Sequence, residues 1–351
     1  MISPDEQSTI DMIRQSAGSI ASRKDLRRVR AQRFSAPGFD NTVWHEICDA
    51  GWVAIRVPED KGGAGLGMLP FCALIEELGA GLVPEPLIPA VFAGSFLRGD
   101  ALEQQITGRQ LILPAWQDSR DALSITSPLK ISDGKLWATK QYVGQAEGAD
   151  ALLVVGEGQA AIVPAKAKGV EIVTLGAQDG TFTARVSFSG VEVQLFDVDP
   201  APALAEAALA TSAYLLGIMD AALELTVDYL KTRIQFGKVI GTFQALQHMA
   251  VDARLELELT RASVEDAALR WDHEGATHST YAAISRAKVR AALAALKVTR
   301  DAVQMHGGIG FTDEHDIGLY LRKAIVTASQ FGSAKAHKLA FAQLKPARAE
   351  I

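Results

Sequence analysis

Between Gln110 and Val198 the chain changes its period. Short runs of β-branched and aromatic residues, at 111–116, 123–126, 136–139, 151–155, 161–163, 170–173 and 182–188, are separated by turn formers. Runs this short, with no helical stretch between them, predict antiparallel strands in a small sandwich or barrel. Ser132-Asp133-Gly134-Lys135 marks a hairpin, because Asp-Gly tolerates the positive φ of a tight turn. On either side the period is helical. Residues 1 to 110 read as short helices, among them an amphipathic segment at 41–50. Beyond Pro200-Ala201-Pro202 four long helices are predicted, at 203–233, 243–272, 277–306 and 319–343. The fold class is therefore α+β: an N-terminal α-helical domain (1–110), a middle antiparallel β domain (111–200) and a C-terminal four-helix bundle domain (201–351).

Composition narrows the function classes. Among 351 residues, 35 Lys and Arg stand against 41 Asp and Glu, a net charge of −6. No basic footprint for nucleic acid or an anionic membrane follows from that balance. Cys48 and Cys72 are too few for a disulfide framework or a four-cysteine zinc site and read as small core residues in a reducing compartment. The polar, acidic start Met1-Ile2-Ser3-Pro4-Asp5-Glu6 is unlike a secretory signal. The most apolar stretch, 207–219, is broken by Thr211 and Ser212 and is shorter than the ~20 residues a bilayer requires. The expectation is a cytoplasmic protein with no nucleic-acid or membrane partner.

Three charged or glycine-rich segments have plain readings. Pro58 to Gly67 carries four glycines but lacks the Lys-Ser/Thr sequel of a phosphate cradle, so it reads as a loop before a helix at 68–78. Arg23-Lys24-Asp25-Leu26-Arg27-Arg28 reads as a solvated helix face. In the first long helix Asp220, Glu224 and Asp228 sit four apart and form one wet stripe on an otherwise apolar cylinder. Such a helix suits a bundle that also packs on a second subunit.

Two stretches carry more specific chemistry. The first is Thr232-Arg233-Ile234-Gln235-Phe236-Gly237-Lys238-Val239-Ile240-Gly241, followed by Phe243-Gln244 and Gln247-His248. The second is Gln304-Met305-His306-Gly307-Gly308-Ile309-Gly310-Phe311-Thr312-Asp313-Glu314, followed by Arg322. Each closes one long helix and opens the next. An arginine at a helix end offers a diphosphate a planar fork of permanent donors, and paired glycines let backbone approach a ligand. On geometry alone the glycines could equally be C-terminal caps and the arginine a surface charge.

The pattern Arg-x-x-Phe-Gly-x-x-Ile-x-x-Phe-Gln-x-x-Gln-His, with Gln-x-x-Gly-Gly-x-Gly-x-Thr-x-Glu about 60 residues on, resembles the acyl-CoA dehydrogenase family. The order of helical domain, β domain and bundle resembles it too. Smaller echoes run along the chain: Gly51-Trp52, Val57-Pro58-Glu59, Gly62-Gly63, Glu76-Glu77-Leu78-Gly79 and Phe188-Ser189-Gly190-Val191-Glu192-Val193. The resemblance implies FAD, an acyl-CoA thioester substrate, a glutamate that removes the α-proton, hydride transfer from the β-carbon, a 2,3-enoyl-CoA product and an electron-transfer flavoprotein. It assigns Arg233, Phe236, Gln304, Gly307 and Gly308 to cofactor binding, serving the FAD held mainly by a neighbouring subunit.

Elsewhere the family pattern is broken. The first flavin-ring segment, Thr-Glu-Pro followed by Gly-Ser-Asp, is here Pro114-Ala115-Trp116-Gln117-Asp118-Ser119. The second, Lys-x-Trp-Ile-Thr, is Lys140-Gln141-Tyr142-Val143-Gly144. Counting from Arg322, the glutamate of Tyr-Glu-Gly-Thr falls on Phe331, within Gln330-Phe331-Gly332-Ser333. The alternative base position, on the first bundle helix, falls on Ala207, and Glu206 is one residue, roughly 100°, away. Glu206 reads as a solvated carboxylate, His306 and His248 as bundle histidines in hydrogen-bond networks, and Tyr142, Trp116 and Trp137 as sheet packing. No catalytic residue and no metal ligand is assigned. The pattern implies a subunit of a heterotetrameric (α2β2) steroid side-chain acyl-CoA dehydrogenase, completing the FAD site of a second subunit that carries the base. A homo-oligomer using Glu206 or another base, and a flavin-free scaffold, are the alternatives.

Overall fold

Local chemistry starts the first helix. In the computed structural model, which describes residues 3–120 and 123–344, Ser3 Oγ accepts from Glu6 N while the Glu6 carboxylate accepts from Ser3 N. This reciprocal cap opens α1 (Pro4–Ala17). The helices α2 (Arg27–Gln32), α3 (Asn41–Asp49), α4 (Met68–Ala80), α5 (Leu87–Gly94) and α6 (Gly99–Ile106) follow. Among the described residues eight strands come next: β1 (Ile112–Ala115), β2 (Lys130–Ser132), β3 (Lys135–Gly144), β4 (Ala151–Gly156), β5 (Gln159–Pro164), β6 (Val170–Gly176), β7 (Phe182–Glu192) and β8 (Phe196–Asp197). The rest is α7 (Pro200–Thr232), a short hairpin of β9 (Ile234–Gln235) and β10 (Lys238–Val239), then α8 (Gln244–Glu274), α9 (His278–His306), α10 (Ile317–Thr327) and α11 (Ala334–Leu344).

The chain divides into two compact units, each drawn from separated stretches: Met1–Arg28, Met68–Val83 and Ala208–Ile351 in one, Val29–Gly67 and Pro84–Ala207 in the other. In the first, α4 and α7 meet at backbone distance. A Cβ on Gly217 would lie 1.9 Å from Glu76 O, and one on Gly79 would lie 2.1 Å from Tyr214 O, so neither position admits a side chain. Arg23 reaches Glu77 (3.0 Å) and Asp220 (2.7 Å) in this unit, and it precedes α2. Rather than lying on a solvated helix face, it is neutralised by carboxylates from two other helices.

In the second unit the strands form two four-stranded sheets, β1-β4-β5-β8 and β2-β3-β7-β6, so the sandwich reading holds over the barrel. Asp133 and Gly134 both take positive φ (51° and 71°) and close the β2–β3 hairpin. Two expectations fail. The pair β1–β4 is parallel, because the chain crosses to the other sheet as β2 and β3 before returning. Residues 123–126 form no strand; Ser124 interrupts that run, Ser127 and Pro128 follow it, and the strand beside β3 is 130–132.

Two bundle expectations also change. The fourth helix is two helices, α10 and α11, parted where Phe331 and Gly332 take positive φ (49° and 99°). The helix α7 is long and apolar enough to span a membrane by composition, yet 83% of its most apolar stretch is buried inside the fold. Its Ser212 and Thr226 hydroxyls donate to the carbonyls of Ala208 and Ala222, which satisfies them within the helix. Of the bundle helices, α8 leaves Val251, Leu255 and Leu259 exposed at helical spacing.

Candidate functional site

The helix α7 ends at Thr232, and Arg233 begins the turn-out. Its amide donates to Tyr229 O (2.9 Å), its carbonyl accepts from Ile240 N (2.9 Å), and its side chain is exposed. Phe236 and Gly237 form the tip between β9 and β10, both with positive φ (55° and 76°). Phe236 is 91% exposed and meets Phe243 edge-on at 6.2 Å. At the end of α9, Gln304 is exposed and the chain leaves the helix at Gly307 (φ 65°). Nothing lies within 4 Å of a Cβ built on Gly307 or Gly308, so this backbone is open to a ligand.

Tyr229, one helical turn before Arg233, stacks on His306 with ring centroids 4.4 Å apart, and His315 packs on both rings. Beneath them Met305 shares a buried cluster with Leu230 and Ile240. Arg233, Phe236, Gln304, Gly307 and Gly308 therefore rise from one packed base. Together they present a guanidinium, an exposed aromatic ring, a carboxamide and two uncrowded glycines, although the Gly307 amide already donates to Gln304 O; the set suits a diphosphate and an adenine.

The two histidines differ from expectation. His306 is buried and its Nδ1–H donates to Ala302 O (2.8 Å), but its Nε2 has no hydrogen-bond partner among the described residues. Burial pushes its pKa down to about 4, so it is neutral at physiological pH. His248 is exposed on α8, not buried in the bundle.

The segments that resemblance places against this chain's own flavin ring are engaged with each other. Lys140, buried on β3, pairs with Asp118 Oδ1 at 2.6 Å, and Gln141 N donates to Gln117 O at 2.7 Å. Trp116 is buried, as expected of a packing residue. Trp137 and Tyr142 are half-exposed instead, and Tyr142 takes a positive φ (55°) where the β3–β7 register shifts. The extra residue of that bulge turns the tyrosine outward.

Glu206 is no solvated carboxylate. It and Arg56 are each 19% exposed and pair at 2.5 Å, beside cavities of about 670 and 270 Å³ that both border Glu206, Ser95 and Arg98. Phe331 sits on the turn between α10 and α11, and His337 Nε2–H donates to its carbonyl (2.9 Å). Sequence reasoning missed Lys288, which is fully buried on α9 and donates to Ala328 O and Gly332 O, each at 2.9 Å. The signal was present: a lone lysine on the apolar stripe Ile284, Ala287, Ala291, Ala295. Among the described residues, no cluster of three His, Cys, Asp or Glu side chains could hold a metal ion.

The models of the acyl-CoA dehydrogenase N-terminal and C-terminal domains match residues 7–98 and 201–343. The chain is 30% identical to acyl-CoA dehydrogenase IpdE2 of Mycobacterium tuberculosis, over 92% of each chain. This chain belongs to the acyl-CoA dehydrogenase family. It is also 32% identical to IpdE2 of Mycolicibacterium smegmatis, covering 87% of this chain and 88% of that one. Among solved structures it is similar to a steroid ACAD described as Tcur3481-Tcur3483, G363A variant, with a TM-score of 0.86, 28% identity and 98% coverage of both chains.

The cofactor of this family is FAD. The residues here fit it unevenly. The Arg233–Gly308 cluster offers exposed donors and open backbone to the diphosphate end, whereas the β3 segment offers an occupied ion pair and, at Gly144, no hydroxyl for a ring edge.

Proposed function

We propose that this chain is one subunit of a hetero-oligomeric acyl-CoA dehydrogenase and completes the FAD site of a partner subunit. The observation that carries the reading is the split just described. Residues that resemblance assigns to a neighbour's cofactor are exposed, while in the segment it assigns to the chain's own flavin ring Lys140 pairs with Asp118. When bound, FAD supplies the hydride acceptor. This chain's part is to hold its diphosphate and adenine end through Arg233, Gln304 and the uncrowded backbone at Gly307-Gly308, with Phe236 covering the adenine. Phe331 cannot take a proton, so the base belongs to the partner, and the assembly is α2β2. The substrate class is an acyl-CoA with a bulky steroid-derived acyl group, a reading supported by the 28% identical steroid ACAD. Electrons leave through an electron-transfer flavoprotein, and the enzyme works in the cytoplasm.

The test is expression of the chain alone and with a second acyl-CoA dehydrogenase chain encoded beside it. Alone, it should be poor in FAD and assemble weakly; together, the pair should be yellow and oxidise a steroid side-chain CoA thioester. A stable homotetramer with one flavin per chain, by absorbance and sedimentation, overturns the reading. One observation favours a second reading, a homo-oligomer with Glu206 as base: that carboxylate borders two cavities. Its pairing with Arg56 argues against it, because one of its two oxygens, Oε1, is held by the guanidinium.

A further inference from the structure

Tyr229 touches both ends of one loop. Residues Gly307 to Glu314 leave α9 behind His306 and reach α10 through His315 and Asp316, and all of them but Gly310 are exposed. The half-buried Tyr229 ring stacks on His306, with centroids 4.4 Å apart and planes at 24°, and meets His315 edge-on at 5.9 Å. The two histidine rings are themselves 4.5 Å apart. One ring from α7 therefore closes the neck of the loop that carries Gly307 and Gly308.

Each histidine is oriented by its own helix. His306 Nδ1–H donates back to Ala302 O at 2.8 Å within α9, and His315 Nδ1 accepts at 3.2 Å from the amide of Ile317, the first residue of α10. Inside the loop the Thr312 amide and hydroxyl donate to Ile309 O at 3.1 and 2.8 Å. Local bonds of this kind set the loop's shape but not its place relative to α7. Beneath the rings Met305 packs with Leu230 and Ile240, which fixes the end of α9, while His315 ties the far end of the loop to the same tyrosine. Tyr229 is also bound to the other half of the cluster: its carbonyl accepts from Arg233 N at 2.9 Å, so ring and arginine share the last turn of α7.

We propose that Tyr229 is a positioning residue whose ring, stacked on His306 and edge-on to His315, holds loop 307–314 in register with Arg233, so that guanidinium and loop backbone meet one diphosphate together. This rests on the proposed function, which gives both groups to the partner's FAD. A diphosphate is short, so two contacts carried on different helices gain from being fixed before it arrives. Flat rings suit the task, because stacked and edge-on contacts define an orientation that aliphatic packing leaves loose.

The experiment uses the co-expressed complex and compares Tyr229→Leu, which keeps apolar bulk without a flat ring, with Tyr229→Phe, which keeps the ring. The FAD dissociation constant should rise about tenfold in the first and stay within about twofold of wild type in the second. With FAD saturating, hydrogen exchange in the peptide spanning 307–316 should quicken about threefold in Tyr229→Leu alone. On an Arg233→Ala background Tyr229→Leu should add less than about twofold to the loss of FAD, because both changes act on the same contact. Unchanged exchange overturns the hold on the loop. An unchanged dissociation constant, or a loss as large without Arg233 as with it, overturns the positioning role. Equal losses in Tyr229→Leu and Tyr229→Phe overturn the stacking. Should Tyr229→Leu fail to fold, His315→Asn tests the contact from the loop side, since asparagine can still accept from the Ile317 amide but has no ring. It should weaken FAD binding about three- to fivefold, and unchanged binding again overturns the role. A wild-type complex that holds no FAD fails differently: it sinks the proposed function, and the positioning role with it.

Discussion

The cluster around Arg233 and the segment around Lys140 make a useful pair, because both lie where family resemblance puts flavin contacts. At the first, charge and backbone are turned outward: Arg233, Gln304 and Phe236 are exposed, and Gly307 and Gly308 face open space. At the second, Lys140 is buried against Asp118, and backbone of the neighbouring loop is bonded to β3 through Gln141. On the proposed function this difference is that between a working site and its remnant: Arg233 and Gln304 keep their side chains in solvent, whereas Lys140 and Asp118 pair with each other.

The largest effect expected from this contrast is on stability. Lys140→Ala removes a buried cation and leaves Asp118 partly in water, which should cost about 2–3 kcal/mol, seen as a Tm lowered by several degrees. FAD content of the complex should not change. A flavin-poor but stable Lys140→Ala complex would show that the β3 segment serves a cofactor after all. Arg233→Ala should do the reverse, preserving Tm while weakening FAD retention by about 1.5–3 kcal/mol, the worth of a hydrogen bond to a charged group. Flavin absorbance after dialysis reads it, and full retention would remove Arg233 from the site.

Gly308→Ala is a finer probe. The added methyl meets nothing, so the fold should change by less than about 0.5 kcal/mol. If backbone there approaches the diphosphate, FAD affinity should still fall about tenfold, or roughly 1.4 kcal/mol; equal affinity would mean that the two glycines serve only to end α9. The smallest effect concerns Glu206→Gln. With the base on the partner, turnover of the complex should stay within a few fold, against the ~10²–10⁴ loss expected of a general base. Steady-state kinetics with an artificial electron acceptor separates the two, and a hundredfold fall in kcat at normal flavin content would move catalysis into this chain.

Periodicity made the helices and most strands legible, because α7, α8, α9 and the buried strands repeat their apolar residues at regular spacing. It misjudged relations that period does not encode. The parallel β1–β4 pair depends on where the intervening hairpin goes, and the turn at 328–333 is bonded by Lys288, which lies 40 residues before Ala328. The site was legible as two separate motifs through glycine and arginine placement. That Tyr229 and His306 join those motifs was not, since residues 77 apart give no sign of stacking in a single sequence. Arg23 and Glu206 were misread for the same reason: their partners, Glu77 with Asp220 and Arg56, are distant in sequence.

The hairpin tip at Phe236 bears on the kinetics of association. Its ring is almost wholly in solvent, yet its backbone is already held in a left-handed turn by the β9–β10 pairing and by contact with Phe243. A tip preset in this way surrenders little backbone freedom when it is covered, so docking is opposed mainly by the loss of overall tumbling and little by local ordering. Variants that loosen the tip, such as Val239→Gly, should therefore slow productive capture more than they hasten release, because most encounters would then meet the turn in a form that does not fit.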